Sequence, residues 1–218
     1  MTDAIPPDQT KDPSKSKEDP PLYLALVGQF PLAESSPRKF HLLLPETLGD
    51  RIDNRVAGSR NTAFIVLLQT GLDFLCAYTQ VKEEPCVLAE REITPSGYDL
   101  PVSLSDTIVP LLRQPPKNTT NIETCLNVSG RMAPFSRKPY ALLLPQRLAD
   151  AIDAKTKGSR NSVFVVLLSV GMEIFRQRAL KERTVPIVRV GEFFKAQGYG
   201  QKEENEKKAG TLTREDPR

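Results

Sequence analysis

The chain has 218 residues, of which 39% are hydrophobic and 26% charged, with 19 prolines and a formal net charge of only +3. That is enough apolar content for a core alongside much irregular polypeptide. A single histidine, His41, removes most nucleophile–base schemes and histidine-based metal centres, and Cys76, Cys86 and Cys125 are odd in number and lack CxxC spacing. No catalytic residue, metal ligand or cofactor is therefore expected, and the cysteines are read as small apolar residues.

Residues 1–21 are charged and proline-rich with no apolar run, so they read as a disordered tail, neither signal peptide nor membrane anchor, in a cytoplasmic protein. The run LYLALV from Leu22, closed by Gly28, is a strand or a packed arm. From Arg38 to Leu44 the pattern has a period of two. Phe40, Leu42 and Leu44 fall on one face and Lys39, His41 and Leu43 on the other, as in a strand buried on one side. Pro45 ends that strand and suits the first turn of a helix, with Glu46 and Asp50 near its N-terminus and Leu48, Ile52 and Val56 as its apolar stripe. Gly58 is a natural stop, and Ser59 caps a second helix over about Arg60 to Tyr78. Ala63, Phe64, Leu67, Leu68, Leu72 and Leu75 form its main face, and Ile65, Val66 and Phe74 widen the apolar surface. A helix so apolar needs enclosure beyond its own module.

The chain supplies the partner by writing this unit twice. A shift of one hundred positions lays Leu42 to Pro45 on Leu142 to Pro145, Ile52-Asp53 on Ile152-Asp153, and Gly58 to Asn61 on Gly158 to Asn161. Nearly half of the positions between Arg38 and Leu75 recur without a gap, which marks a duplicated module. At an offset of one hundred and one, Pro85 meets Pro186 and Gly97-Tyr98 meets Gly198-Tyr199, so each copy carries a small appendage. The expected organisation is a tail at 1–21, a first module with appendage at 22–99, a linker at 100–123 with a short helix capped by Ser105, a second module with appendage at 124–200, and a disordered tail at 201–218.

Strand, proline, helix, Gly-Ser-Arg-Asn, helix is an order that resembles the ribbon-helix-helix superfamily of Arc- and MetJ-type proteins, in the tandem single-chain form of plasmid and T-DNA transfer accessory proteins. The resemblance implies a mainly α fold with a two-stranded antiparallel ribbon, a tandem ribbon-helix-helix intramolecular pseudo-dimer with disordered termini. It also implies a non-enzymatic, double-stranded DNA-binding protein, a transcriptional regulator or DNA-transfer accessory factor, whose ribbon enters the major groove.

Carried over residue by residue, the resemblance places base contacts on Lys39, His41 and Leu43 and on Pro139, Ala141 and Leu143. It places phosphate contacts on Arg38, Ser59, Arg60 and Asn61 and on Arg137, Lys138, Ser159, Arg160 and Asn161, because a helix N-terminus presents free N–H groups to an anion. The second copy is the more basic, which suggests that it holds phosphates while the first reads bases. Expected partners are double-stranded DNA, with a second pseudo-dimer or a transfer or partition protein, and no membrane. The alternative is a protein-interaction scaffold or antitoxin-like module without sequence-specific DNA binding.

Overall fold

The period-two stretches of the two copies are strands, and they pair with each other. The computed structural model describes residues 19–30, 37–100, 123–130 and 133–199. Most of the expected tails and of the linker, including the helix at Ser105, lies outside the described residues. The first copy runs β1 (Leu24–Val27), β2 (Arg38–Pro45), α1 (Glu46–Arg55), β3 (Val56–Ala57), α2 (Arg60–Lys82) and β4 (Cys86–Ala89). A 3-10 turn (Glu90–Glu92) and the hairpin β5 (Ile93–Thr94) and β6 (Gly97–Tyr98) follow. The second copy runs β7 (Leu126–Ser129), β8 (Arg137–Leu144), α3 (Gln146–Lys155), β9 (Thr156–Lys157), α4 (Arg160–Glu182), β10 (Ile187–Arg189) and α5 (Val190–Ala196).

This corrects the expected fold class. Half of the described residues are helical, but 26% lie in ten strands forming four sheets, with parallel pairing in two of them; the chain is mixed α/β and not a mainly α ribbon-helix-helix pseudo-dimer. The difference comes from segments of two to four residues, too short to carry a readable period. Val56, expected on the stripe of the first helix, instead opens β3.

Those short strands tie the copies together. β1 lies parallel to β3 of its own copy and to β10 of the other, while β7 lies parallel to its own β9 and to β4 of the first. The strand that follows each copy's long helix is thus held by the other copy's first strand. Gly58 and Gly158 make this possible: both are left-handed, at φ 126° and 128°, and a Cβ would stand 2.8 Å from the Leu26 side chain or 2.3 Å from the Val128 carbonyl.

β2 and β8 form the antiparallel ribbon, registered from Arg38 opposite Leu144 to Pro45 opposite Arg137. His41 faces Ala141, and the repeat also equates these two positions, so the internal dyad passes through that pair. Phe40, Leu42, Leu44, Tyr140, Leu142 and Leu144 all point into the core. Beneath them α2 and α4 cross, each apolar on all sides because each is enclosed by the other copy. α2 is long and apolar enough to span a membrane, yet 83% of that stretch is buried inside the protein.

The copies have diverged in compensating ways under the ribbon. A Cβ at Gly49 would overlap the Tyr140 hydroxyl, whereas the equivalent pair is Ala149 and Phe40, which has no hydroxyl. Gly49→Ala should therefore lower stability by about 1–3 kcal/mol through overpacking. Adding Tyr140→Phe should restore it, or raise it further through the better helix propensity of alanine. Thermal unfolding of the four proteins checks this, and an equal loss with and without the tyrosine hydroxyl would place the clash on the ring, whose Cζ would stand 2.7 Å from the added Cβ.

Candidate nucleic-acid interface

Alternation along the ribbon leaves one face outside. Lys39, His41, Leu43, Pro139, Ala141 and Leu143 are all exposed, and the register stacks them as Lys39 with Leu143, His41 with Ala141, and Leu43 with Pro139. Both hydrogen-bonding side chains come from β2, so one end and the centre of the face are polar and the other end is apolar. The face is a two-stranded surface with unlike halves.

A two-stranded ribbon has two open edges whose backbone groups need partners. Asn61, in the first turn of α2, supplies one: its Nδ2 donates to the Leu143 carbonyl at 3.0 Å and its Oδ1 accepts the Leu143 N–H at 2.9 Å. Asn161, in the first turn of α4, accepts the Leu43 N–H at 3.3 Å. Each helix N-terminus is thereby docked against the strand of the other copy. The asparagines expected at phosphates have their side chains on ribbon backbone.

Searches for similar proteins find no matching family model, no matching curated protein and no matching solved structure.

Four of the flanking cations, Arg38, Arg60, Lys138 and Arg160, are held by carboxylates. Arg60 makes a two-pronged contact with Asp53, at 2.7 and 2.9 Å, and lies 5.8 Å from the centre of the Tyr140 ring. Arg160 reaches both oxygens of Asp153 at 3.3 Å and lies 5.3 Å from the Phe40 ring. Arg38 flanks the same ring at 5.4 Å and pairs with Asp150 and Asp153 at 3.4 and 3.5 Å. Lys138 binds Asp50 at 2.8 Å and Glu46 at 3.4 Å. Hydrogen bonds from Ser136 and then Lys138 hold the Glu46 carboxyl below the usual range. Arg137 stacks on Phe135 at 5.0 Å and donates to the Ala133 carbonyl. Lys39 and Arg137 form no ion pair among the described residues. These exposed pairs add little stability, but they aim the guanidinium groups, and an arginine bound through two N–H groups retains donors for a phosphate.

The two helix N-termini are not alike. Ser59 makes no side-chain cap bond. Ser159 accepts the Ser162 N–H at 3.3 Å, and the two hydroxyls are 2.7 Å apart. Ser162 in turn donates to the buried Glu90 at 2.8 Å, so the Ser159 proton is directed to the Ser162 oxygen. A carboxylate near a helix N-terminus is favoured by the dipole, and it opposes a second anion there. Sequence reading missed Glu90 because the repeat offers Gly191 at its counterpart. Among the cations of the second copy, Arg160, Arg176, Arg178 and Lys138 are ion-paired, as are Arg38 and Arg60 of the first.

Proposed function

We propose that this chain binds double-stranded DNA by laying the β2–β8 ribbon in the major groove, as a transcriptional regulator or an accessory factor in DNA transfer. The observation that carries the reading is the pairing of the two repeat copies about His41 and Ala141, which gathers six exposed side chains on one face between two helix N-termini. Eight paired residues extend about 26 Å, and the major groove, about 12 Å wide, admits a two-stranded ribbon. Lys39 offers donors to guanine, His41 donates or accepts on a base edge, and Leu43, Pro139, Ala141 and Leu143 suit thymine methyl groups. Because the polar contacts sit on one strand, the preferred site is not palindromic.

The test is selection of bound sequences from random duplexes by the full chain. Replacing Lys39 and His41 together by alanine should flatten the preference at the positions they read, each lost contact costing about 1–3 kcal/mol of discrimination. Arg60→Ala should weaken all sequences alike and flatten the salt dependence. An unchanged preference in the ribbon variant would remove the ribbon as reader.

One observation favours a second reading, a protein-interaction scaffold. Four of the six outward ribbon residues are apolar, and Leu43 and Leu143 are 45% and 39% exposed. Salt separates the two readings: binding through several phosphates falls steeply with added salt, whereas docking on an apolar face persists.

A further inference from the structure

The duplication places an acid at the same point of each long helix, Asp73 on α2 and Glu173 on α4, and the two are neutralised differently. Arg176, one turn after Glu173, binds one of its oxygens at 2.9 Å, and Gln177 donates to the other at 2.7 Å. The matching residues of α2 are Cys76 and Ala77, which bring neither charge nor amide. Asp73 accepts from Gln69 at 2.8 Å and from Gln197 at 3.0 Å, one on each oxygen. No cation pairs with it among the described residues.

Beside Asp73 there is room. A cleft of about 240 Å³ is lined by Gln69, Asp73 and Cys76 of α2, by Arg147 of α3, and by Gln197 and Tyr199 just after α5. Arg147 donates one N–H to the Gly198 carbonyl at 2.8 Å and lies 5.2 Å from the centre of the Tyr199 ring. Those contacts hold the guanidinium at the cleft and leave it further donors. The corresponding place in the other half is filled. Tyr98, the counterpart of Tyr199, is only 5% exposed, and its N–H donates to the Ser169 hydroxyl at 2.9 Å. A Cβ on Gly97 would stand 2.4 Å from that same oxygen, and Ser169 is the counterpart of Gln69. One half therefore closes on a neutralised acid, while the other keeps a cleft beside an acid without a cation.

We propose that this cleft binds a small zwitterion with the size and charge pattern of a free α-amino acid, its ammonium group on Asp73 and its carboxylate on Arg147. The ammonium takes the place at Asp73 that the Arg176 guanidinium takes at Glu173. Charge on the walls selects the class. A simple cation would meet Arg147 and Lys155, which also lines the cleft, and a simple anion would meet the Asp73 carboxylate. A molecule with both charges satisfies both ends. The volume is below the roughly 300–1,000 Å³ of sites for drug-sized ligands, which limits the occupant to about the size of an amino acid. Burial pushes the Asp73 carboxyl up to about 6, and a bound ammonium offsets the cost of keeping it charged at neutral pH. Because the walls come from both copies, an occupant ties α2 to α3 and to the segment after α5, so binding should raise the melting temperature.

The experiment screens the free L-amino acids of proteins, each at millimolar concentration and neutral pH, for a rise in the melting temperature of the full-length chain, and follows any that act by titration calorimetry. One amino acid, or a few of related shape, should raise the melting temperature saturably and bind as one molecule per chain. Its N-acetyl derivative and its carboxamide, each lacking one of the two charges, should bind about tenfold or more weakly. Asp73→Asn and Arg147→Gln should each weaken the amino acid to a similar degree. Asp73→Asn removes a poorly solvated charge and so keeps the fold, which separates lost binding from lost structure. No response to any amino acid, an equal response to all of them, equal binding of the N-acetyl derivative, or undiminished binding by Asp73→Asn would overturn the proposal. None of these readouts requires DNA.

Discussion

Replacing Gly71 or Gly171 by alanine is expected to cost about 3 kcal/mol each, and replacing both to abolish cooperative folding. A Cβ at Gly71 would stand 2.2 Å from the Leu167 carbonyl oxygen of α4, and one at Gly171 would stand 2.3 Å from the Leu67 carbonyl oxygen of α2. The obstacle in each case is the backbone of the facing helix, which cannot swing aside as a side-chain tip can. Relief requires the helices to separate, opening contacts among side chains that are almost wholly buried, Leu67, Leu68, Leu167 and Leu168 among them. Overpacking a core costs about 1–3 kcal/mol and sometimes more, against a total of about 5–15 kcal/mol for a domain. Gly191 is the control: nothing stands within 4 Å of a Cβ there, so Gly191→Ala in α5 should be neutral or slightly stabilising. Urea unfolding followed by circular dichroism measures all of these. A double variant with an unchanged midpoint would mean that the helices do not cross at these glycines.

The recurrence of Gly71 one hundred positions later was visible in the sequence, but its reason was not, because a close approach between helices is a property of the pair. The same division runs through the fold. Pro45 and Ser59 mark real boundaries, since α1 starts at Glu46 and α2 at Arg60; Gly58, read as the stop of the first helix, instead follows β3, α1 having ended at Arg55. The end of α2 was read at Tyr78 yet lies at Lys82, because no glycine stops it and Glu83 takes the left-handed conformation at φ 60°. The parallel pairing escaped notice because its strands are two to four residues long and each first strand bridges its own copy and the other, an exchange that no local pattern encodes.

In the candidate site, the outward set of the ribbon followed directly from alternation. The tethering of Arg60 by Asp53 and of Arg160 by Asp153 also left a trace, since both acids recur with both arginines at the same spacing. The docking of Asn61 and Asn161 on ribbon backbone left none: an asparagine beside an N-cap reads equally well as an anion ligand. What separates the alternatives is the strand lying next to the helix start, and that strand belongs to the other copy.

The buried carboxyl of Asp73 makes stability depend on pH in a direction opposite to that of most acids. Burial pushes it up to about 6 from an ordinary 3.8, against the hydrogen bonds donated by Gln69 at 2.8 Å and Gln197 at 3.0 Å. No cation pairs with it among the described residues, whereas its counterpart in the second copy, Glu173, is bound by Arg176 at 2.9 Å. Between pH 4 and 6 the folded state therefore holds a proton that the unfolded chain has released. The group's contribution is fully present below about pH 4, declines as pH rises through about 6, and leaves a charged, poorly solvated carboxylate at pH 7. At about 1.4 kcal/mol per pH unit, reduced for its partial exposure, the decline amounts to about 2 kcal/mol. Asp73→Asn should accordingly match the parent protein at pH 4 and exceed it by about that amount at pH 7, with the urea midpoints diverging across the interval. A difference that stays constant from pH 4 to 7 would mean that Asp73 ionises normally, and the cleft beside Cys76 would then be well hydrated.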